Sequence, residues 1–288
     1  MSTCNQPLNR PFGHLPNGRF TFTGDLPYNV SALIRRLLYF IYEKALTREV
    51  QRGSKPTHLG LILDGNRRYA REMGFDDLAA GHREGARKLD EVLQWCADLG
   101  IRIITIWVLS PENVQRNREE VEGLFRVITE KMEELSNNDV IRRNQFRIRT
   151  FGKLDNLPPE VIEAIRKSEE STKDFERHVL NIAIGYGGRQ EIVDAVKKAI
   201  DAKKASNVEE IAASLCADDI TSHLYTYGIP DPDLIIRTSG EIRLSGFLLW
   251  QSAYSEFYFC DALWPVFRKI DFLRAIRSYQ HRHRRFGR

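Results

Sequence analysis

The stretch His58 to Arg68 places residues that could bind phosphate directly after a buried-strand pattern. It reads H-L-G-L-I-L-D-G-N-R-R, so an apolar run passes into an acid, a glycine, an amide and two arginines. Residues 67–73 then have helix-forming composition, and Gly74 stands where a C-terminal cap would be. Strand, tight loop and helix N-terminus bring backbone N–H groups and the helix dipole to one point, which favours a phosphate.

Asp64 is the residue of this loop that a phosphate alone does not explain, because two negative groups repel each other. A magnesium ion resolves the conflict, since Mg²⁺ binds through one or two carboxylates together with phosphate oxygens. The loop therefore predicts a phosphate site that includes Mg²⁺. The loop alone leaves open a second interpretation, an ordinary Asp-Gly-Asn turn whose arginines face water.

Two later segments carry similar residues directly after predicted strands. Segment 110–116 reads S-P-E-N-V-Q-R, and segment 237–245 reads R-T-S-G-E-I-R-L-S. Ligands of parallel α/β sheets bind beyond the carboxyl ends of the strands, so we expect all three segments at one edge of a sheet. Guanidinium groups match phosphate oxygens in a bidentate fashion, and several arginines around an acid predict a site for more than one phosphate.

The composition fits a globular protein with one large domain or two small ones, since 42% of the 288 residues are hydrophobic. The net charge of +4 is too small to predict a nucleic-acid binder, although it suits a ligand that carries phosphates. The four cysteines show no CxxC pair, so we expect reduced thiols in a cytoplasmic protein rather than a zinc site or disulfides. No apolar run approaches the roughly 18 residues of a spanning helix, and a signal-peptide h-region is not found, which predicts a soluble protein.

Strand-like and helix-like segments alternate from Lys55 onward. Apolar runs typical of buried strands follow His58 and lie at 101–109, 146–151, 179–185 and 233–237, and an aromatic segment covers 247–259. Helical patterns cover 82–99, a segment opened by the capping-box pair Asn117 and Glu120, 159–171, the residues after Gly187-Gly188, part of 208–225, and 271–283. This order predicts an α/β fold, a single domain with a mainly parallel central sheet of about six strands covered by helices.

Residues 1–55 are predicted to form an N-terminal arm and an amphipathic helix, separate from the domain 56–288. Residues 1–28 have little periodicity, whereas Val30 to Arg52 has apolar residues on one side of a helix. A basic amphipathic helix is the usual form of a membrane-surface helix. We favour the alternative that this helix packs on the body of the protein or on a second subunit.

Glu256 is a charge among aromatic residues, in the sequence Y-S-E-F-Y-F. A buried acid needs a partner or a metal, although Glu256 could instead point outward from an edge strand. The basic tail 281–288 would usually be a frayed end, and it could also fold over the phosphate site of its own chain or of a partner.

Taken together, the chain from about Pro56 to Arg288 resembles the cis-prenyltransferases, the family of undecaprenyl diphosphate synthase. The motifs that carry the resemblance are H-L-G-L-I-L-D-G-N-R-R-Y-A-R, S-P-E-N-V-Q-R, L-N-I-A-I-G-Y-G-G-R, D-P-D-L-I-I-R-T-S-G-E, R-L-S-G-F-L-L-W-Q and the closing R-F-G. The match is closest to the short-chain branch that makes Z,E-farnesyl diphosphate. The resemblance implies a Mg²⁺-dependent homodimer that joins isopentenyl diphosphate to an allylic diphosphate and creates a cis double bond.

The resemblance also implies roles for individual residues. Asp64 and Asn113 match the catalytic positions, and Asp64 and Glu256 match the two magnesium ligands. The allylic diphosphate would be bound by Gly65, Asn66, Arg67, Arg68, Tyr69, His82, Ser110, Pro111, Glu112, Val114 and Arg116. Isopentenyl diphosphate would be bound by Arg237, Arg243, Leu244, Ser245, Arg285 and Gly287, the last two across the dimer. Because an amide is a poor base, we expect Asn113 to orient a group while a diphosphate oxygen accepts the proton.

Three departures from the family pattern bear on substrate choice. An arginine common in long-chain members is absent from the segment 75–78, the usual tryptophan of S-x-E-N-W is Val114, and a frequent histidine is Ile242. At the position where long-chain enzymes keep a small residue, this chain has Val108. Added bulk there would block a long tail, so a product of about 15 to 35 carbon atoms is expected.

Three alternatives stay open at this point. The chain could be a non-catalytic binding subunit of a prenyltransferase complex, although such subunits typically lose the aspartate loop that is kept here. It could be a long-chain synthase of the undecaprenyl or decaprenyl type. It could also couple two dimethylallyl units in the branched fashion of lavandulyl-type enzymes. Peripheral contact with a membrane is a further possibility.

Overall fold

The computed structural model describes residues 32–203 and 207–282. Contacts within the chain divide it into two units, residues 1–42 and residues 43–288. The predicted N-terminal arm and the tail residues Arg285 and Gly287 lie outside the described residues. Helix α1 (Ala32–Arg52) runs from the first unit into the second.

Six strands form one sheet in the second unit, as predicted. They are β1 (His58–Ile62), β2 (Ile103–Trp107), β3 (Phe146–Phe151), β4 (His178–Ala183), β5 (Leu234–Arg237) and β6 (Glu256–Phe259). Their order is β3-β4-β2-β1-β5-β6, and every neighbouring pair is parallel. The four strands of the centre consist almost wholly of buried residues, which explains their continuously apolar sequences.

Helices connect the strands. The helices after α1 are α2 (Asn66–Glu72), α3 (Ala79–Leu99), α4 (Arg118–Leu135), α5 (Asp139–Asn144), α6 (Pro159–Thr172), α7 (Gly188–Lys203), α8 (Val208–Ser214), α9 (Ala217–Thr221) and α10 (Lys269–His281). Two short 3₁₀ helices, Pro111–Gln115 and Trp264–Val266, lie near the carboxyl ends of the strands. The fold class is therefore the predicted one, a parallel α/β sheet with helices.

The core contains the sheet and the apolar faces of the long helices. Helix α3 buries Leu89, Val92, Leu93 and Cys96 at the predicted helical spacing and ends at Gly100, whose φ of 73° suits a C-terminal cap. In the second unit, α1 contributes Leu46 and Val50 to the core. In the first unit, α1 exposes large apolar side chains that are not confined to one side: Ile34, Leu37, Leu38, Tyr39, Phe40, Ile41 and Tyr42.

The register of the sheet places three strand ends side by side. Ile62, the last residue of β1, pairs with Trp107 at the end of β2 and with Arg237 at the end of β5. The three polar segments singled out in the sequence follow these three residues. They therefore leave the sheet at the same edge, which we call the carboxyl edge.

Candidate active site

A cavity of about 650 Å³ opens at the carboxyl edge. One end is lined by polar residues that the sequence had singled out, and we call it the polar end: Asp64, Gly65, Asn66, Arg67, Arg68, His82, Ser110, Glu112, Asn113, Arg116, Arg237 and Ser245. The other end runs between α3, α4 and β2, and we call it the tail cavity: Ala86, Leu89, Ile106, Val108, Leu124, Val127, Ile128 and Lys131. A charged entrance thus leads into a largely apolar channel.

Asp64 joins the first and third polar segments. Its carboxylate oxygen Oδ2 accepts a hydrogen bond of 2.6 Å from Nη2 of Arg237, a residue 173 positions away in sequence. Thr238 holds the backbone of Asp64, because its hydroxyl accepts from the Asp64 N–H (3.0 Å) and donates to the Asp64 carbonyl oxygen (2.7 Å). The carboxylate is therefore fixed at the entrance of the cavity by two neighbouring strands.

Arg237 is itself almost fully buried, at 4% exposure. Its Nη1 donates to the Ser245 hydroxyl (2.9 Å) and to the Arg243 carbonyl oxygen. Ser245 has a φ of 51°, in the left-handed region that non-glycine residues rarely adopt. The loop after β5 is thus folded back onto the arginine, which presents its guanidinium at the polar end.

Glu120 gathers two arginines from different segments. Its Oε1 lies 3.0 Å from Nε of Arg67 and accepts a hydrogen bond of 2.9 Å from Nη1 of Arg116. The predicted capping box is therefore only half right. Asn117 caps α4 by accepting from the Glu120 N–H (2.8 Å), but the Glu120 side chain binds the arginines instead of returning to the helix start.

The loop after β1 has the predicted geometry. Gly65 has a φ of 107°, and a Cβ at this position would lie 2.9 Å from the Leu263 side chain, so only glycine fits. Helix α2 begins at the next residue, and the N–H groups of its first turn have no acceptor within the helix. Arg68 from this turn donates to the Ser239 carbonyl oxygen (3.0 Å) and approaches Glu241 (3.3 Å).

His82 lines the polar end in its neutral form. Burial lowers the pKa of His82 to about 4, and the positive charges of Arg116 and Arg67 act in the same direction. Its Nε2 is buried and has no hydrogen-bond partner among the described residues. The ring is therefore available to hydrogen-bond a polar ligand in the cavity.

Asn113 is held in the turn that follows β2. Its Oδ1 accepts from the Ser110 N–H at 3.1 Å, and its own N–H donates to the Ser110 carbonyl oxygen at 3.1 Å. An amide oxygen occupied in this way is unsuited to removing a proton, whereas the side-chain NH₂ makes no hydrogen bond within this turn. The geometry supports an orienting role for Asn113.

Some residues named from the sequence do not line the cavity. Tyr69, Pro111 and Val114 lie in the same segments but outside the lining, as do Arg243 and Leu244 after β5. Arg243 instead forms an ion pair with Glu241 at the surface. These five residues therefore do not contribute to the wall of the cavity.

Glu256 is not brought to Asp64 within one chain. It begins β6, pairs with Leu234 at the start of β5, and therefore lies at the opposite end of the sheet from Asp64. The β6 strand is an edge strand, and Glu256 has a protein partner, since its Oε2 accepts a hydrogen bond of 2.7 Å from Arg282. Among the described residues, no group of three His, Cys, Asp or Glu side chains could hold a metal ion.

The structure adds residues that sequence reasoning did not assign to the site. Helix α3 packs against the Asp64 loop at two glycines, because a Cβ at Gly81 would lie 2.1 Å from the Asn66 carbonyl oxygen and one at Gly85 would lie 2.2 Å from Asn66 Oδ1. Trp264 connects α3 to the Asp64 loop. Its Nε1 donates to the Gly85 carbonyl oxygen (2.8 Å), and its backbone N–H donates to the Asp64 carbonyl oxygen (3.0 Å). The spacing G-x-x-x-G on α3 is the one sequence signal for this contact.

The cysteines and the hydropathy of the helices add nothing to this site. Cys96, Cys216 and Cys260 are free thiols, and Cys4 lies outside the described residues. Within residues 32–203 and 207–282, no helix combines the length and the apolar character needed to cross a membrane.

Comparisons with known proteins place the chain in a family. A family model described as putative undecaprenyl diphosphate synthase matches residues 62–287. An isoprenyl transferase of Thermus thermophilus is 55% identical over 257 residues, covering 88% of this chain and 97% of the relative. A (2Z,6E)-farnesyl diphosphate synthase of Thermobifida fusca is 49% identical, covering 88% of this chain and 99% of the relative.

A solved structure extends the likeness to the fold. The crystal structure of lavandulyl diphosphate synthase from Lavandula x intermedia in complex with dimethylallyl diphosphate superposes with a TM-score of 0.73 at 34% identity. The match covers 83% of this chain and all of that one. Family model, relatives and structure point the same way, and the chain belongs to the undecaprenyl diphosphate synthase family of prenyl-transferring enzymes.

Proposed function

We propose that the protein joins isopentenyl diphosphate to a short allylic diphosphate and creates a cis double bond in a short-chain product. The observation that carries this proposal is the Asp64–Arg237 hydrogen bond, which joins two phosphate-binding segments above an apolar cavity. Two diphosphates need two sets of cations, and a growing hydrocarbon needs a dry channel. The polar end and the tail cavity supply both.

The two diphosphates are assigned to opposite sides of Asp64. The allylic diphosphate would contact the loop after β1, His82 and the segment after β2, with Arg67 and Arg116 as its main cations. Isopentenyl diphosphate would contact the loop after β5, where Arg237 and Ser245 line the cavity. The tail residues Arg285 and Gly287 are assigned to the same diphosphate from the family resemblance.

The reaction is a substitution at the allylic carbon. The C1–O bond of the allylic substrate breaks and its electron pair leaves with diphosphate, while C4 of isopentenyl diphosphate bonds to C1. The isopentenyl unit then loses a proton from C2, which forms the new double bond. Arginines in a water-poor site stabilise the negative charge that develops on the leaving diphosphate. Asn113 orients the reacting groups, and a diphosphate oxygen accepts the proton.

Mg²⁺ is the expected cofactor, and Asp64 fits it. Within the described residues, the hydrogen bond to the Asp64 carboxylate is made at Oδ2, and the side chain is 36% exposed at the cavity. Mg²⁺ keeps several waters and needs only one or two carboxylates plus substrate phosphates. When bound, the ion supplies further charge stabilisation for the leaving diphosphate.

A homodimer is part of this proposal. Glu256 lies on the edge strand β6, away from the cavity of its own chain, so it can serve a site only if a second copy brings it there. An edge strand offers unpaired backbone groups and half-buried aromatic side chains to such a copy. Cytoplasmic location and peripheral membrane contact through α1 stay expectations from the sequence.

The short product is proposed from Val108 and from one relative. Val108 lines the tail cavity, and its bulk narrows the space for a long hydrocarbon. The Thermobifida fusca relative is named a (2Z,6E)-farnesyl diphosphate synthase, which is a short-chain activity. Geranyl diphosphate is the primer that leads to such a product in one condensation.

The test is product analysis with purified protein, Mg²⁺, labelled isopentenyl diphosphate and dimethylallyl, geranyl or farnesyl diphosphate in separate reactions. We expect a Z-configured product that Asp64→Asn reduces by roughly a hundredfold or more, since removing one charge-stabilising group has effects of that size. Chelation of divalent ions should also stop turnover. Folded protein that turns over none of the primers would refute the proposal, and a product from dimethylallyl diphosphate alone would indicate branched coupling.

A further inference from the structure

An ion pair lies at the far end of the tail cavity. Lys131 lines the cavity although only 8% of the residue is exposed, and its Nζ donates to both carboxylate oxygens of Asp90 at 2.8 Å. A third hydrogen bond of 3.1 Å joins Nζ to Glu134. Lys131 is therefore an unusual lining residue. Its ammonium makes three hydrogen bonds, whereas the other residues of the tail cavity have aliphatic side chains.

The position of Lys131 along α4 shows that it lies at the end of the channel. Glu120, which holds Arg67 and Arg116, marks the polar end of the same helix. The cavity-lining residues that follow are Leu124, Val127, Ile128 and finally Lys131. On α3 the corresponding order is His82, Gly85, Ala86 and Leu89, and Asp90 comes next. Both walls therefore end at the Lys131–Asp90 pair.

The length of this wall corresponds to a definite number of isoprene units. The eleven residue-to-residue steps from Glu120 to Lys131 span about 16 Å at about 1.5 Å per residue. Three bonds of an extended chain span about 3.8 Å, so the four main-chain bonds of one isoprene unit span about 5 Å. The channel therefore holds about three units between the arginines and the lysine.

The hydrogen bonds of the Lys131–Asp90 pair make it difficult for a hydrocarbon to extend beyond this end of the tail cavity. A hydrocarbon that pushed past Lys131 would have to separate its buried ammonium from Asp90, whose side chain is 26% exposed, and it offers no hydrogen bond in return. An aliphatic side chain such as Val108 can be displaced by small rearrangements, whereas Lys131 is anchored to two residues on two helices.

We infer that the Lys131–Asp90 ion pair closes the tail cavity and limits the product to about three isoprene units, a role that rests on the proposed prenyl transfer. Lys131 and Asp90 then determine chain length without contacting either diphosphate. Val108 lines the same channel just after β2. A longer product from Val108→Ala beside an unchanged product from the Lys131 and Asp90 double variant would therefore overturn the inference.

The experiment compares the products of four proteins with geranyl diphosphate and excess isopentenyl diphosphate: the wild type, Lys131→Ala/Asp90→Ala, Val108→Ala, and the matched control Lys88→Ala/Glu91→Ala. The double variant removes both charges of the pair. Glu134 also loses its bond to Lys131, but its side chain is 52% exposed and keeps a hydrogen bond of 3.2 Å from Asn138. The control removes an ion pair of 2.8 Å on α3 whose residues do not line the cavity. We expect the main product of the double variant to be longer than that of the wild type by at least one isoprene unit. The control should keep the wild-type length.

A second measurement needs no variant. Wild-type protein is given geranyl, farnesyl and geranylgeranyl diphosphate as primers, and we expect kcat/KM for the longest to fall by about tenfold or more relative to geranyl diphosphate. Equal use of all three primers would overturn the inference, as would an active double variant with unchanged product length. Equal use of the primers would also count against the short product, whereas the proposed cis-prenyl transfer itself fails only if the wild type makes no Z-configured product.

Discussion

Glu120 shows how one side chain can prepare a cationic site before its ligand arrives. Two guanidinium groups from different segments share its Oε1, and the Glu120 side chain is only 7% exposed. Burial and the neighbouring charge of Arg67 lower the pKa of Arg116, and Glu120 opposes that effect. The Glu120 carboxylate therefore holds Arg67 and Arg116 in place. Its negative charge also reduces the positive electrostatic potential that these arginines create at the polar end.

Glu120→Gln should lower the stability of the ligand-free protein and increase the stabilisation that a bound anion gives. Loss of the shared charge should lower the free energy of unfolding by about 1–2 kcal/mol, because the hydrogen bond from Arg116 then ends on a neutral amide oxygen instead of a carboxylate. Inorganic diphosphate should then restore more stability in the variant than in the wild type, measured by urea unfolding with and without the anion. Glu122→Gln, which breaks an exposed pair with Arg118, should respond like the wild type. An equal diphosphate effect in Glu120→Gln and wild type would contradict this account.

The site residues could be predicted from sequence to the extent that their segments end buried strands. Asp64, Arg67, Arg116 and Arg237 are predictable because each belongs to a polar segment that begins at or shortly after the end of an apolar run. The Asp64–Arg237 bond could not be predicted, since it joins residues 173 positions apart and depends on the sheet register. Glu120 was assigned to a capping box because the pattern N-x-x-E fits both that motif and a glutamate that faces elsewhere.

At the scale of elements, the packing of α3 on the Asp64 loop fixes the geometry of the polar end. Gly81 and Gly85 let the helix backbone approach Asn66. Trp264 donates hydrogen bonds to Gly85 on the helix and to Asp64 in the loop. The boundaries of α3 and of β1 to β5 differ from the predicted ones by only a few residues, whereas β6 covers only the last four residues of the aromatic segment 247–259. The contact between helix and loop was not predicted, because a glycine inside a helix pattern does not reveal which neighbour it approaches.

Gly85→Ala should therefore impair activity more than stability. Its Cβ would lie 2.2 Å from Asn66 Oδ1 and 2.9 Å from Trp264, which forces α3 and the loop apart at a cost of about 1–3 kcal/mol. The better helix propensity of alanine offsets about 1 kcal/mol of this. We expect kcat/KM to fall by about a hundredfold, as small misplacements of substrate-positioning groups do.

Gly123→Ala is the matched control for that variant. It lies inside α4, and the nearest atom to its added Cβ is the Ala79 Cβ at 3.2 Å. Activity should stay within a few-fold of wild type in a steady-state assay. If Gly85→Ala is as active as Gly123→Ala, the close approach of α3 is not needed for catalysis.

At the scale of the whole molecule, buried histidines tie the stability of the sheet to pH. His58 opens β1, and its Nδ1 lies 2.6 Å from the Pro230 carbonyl oxygen and its Nε2 lies 2.7 Å from the Thr105 hydroxyl. Thr105 also accepts from Asn181, so three neighbouring strands share one hydrogen-bonded chain. Burial lowers the pKa of His58 to about 4, and that of His82 to a similar value.

Acid should therefore destabilise the fold below neutral pH. In the unfolded chain these histidines bind a proton near pH 6.5, whereas the folded chain resists protonation down to about pH 4. The unfolded state binds more protons within this window, so stability falls as pH falls from about 6.5 to 4, by up to about 3 kcal/mol for each group. Urea unfolding at pH 7.5 and pH 5 measures the loss. A smaller loss is expected for His58→Gln, and an unchanged loss would exclude His58 as a cause.

The division of labour between strand ends and helices has a consequence for how such enzymes diverge. The polar end is lined by loops that leave β1, β2 and β5, whereas most of the tail cavity is lined by residues of α3 and α4, which we propose to limit the length of the hydrocarbon. Substitutions one or two turns along these helices can alter product size without disturbing a catalytic group. Selection, or a protein engineer, can therefore tune one property as an almost independent module, and new lipids can arise from old chemistry by a few changes far from the reacting bond.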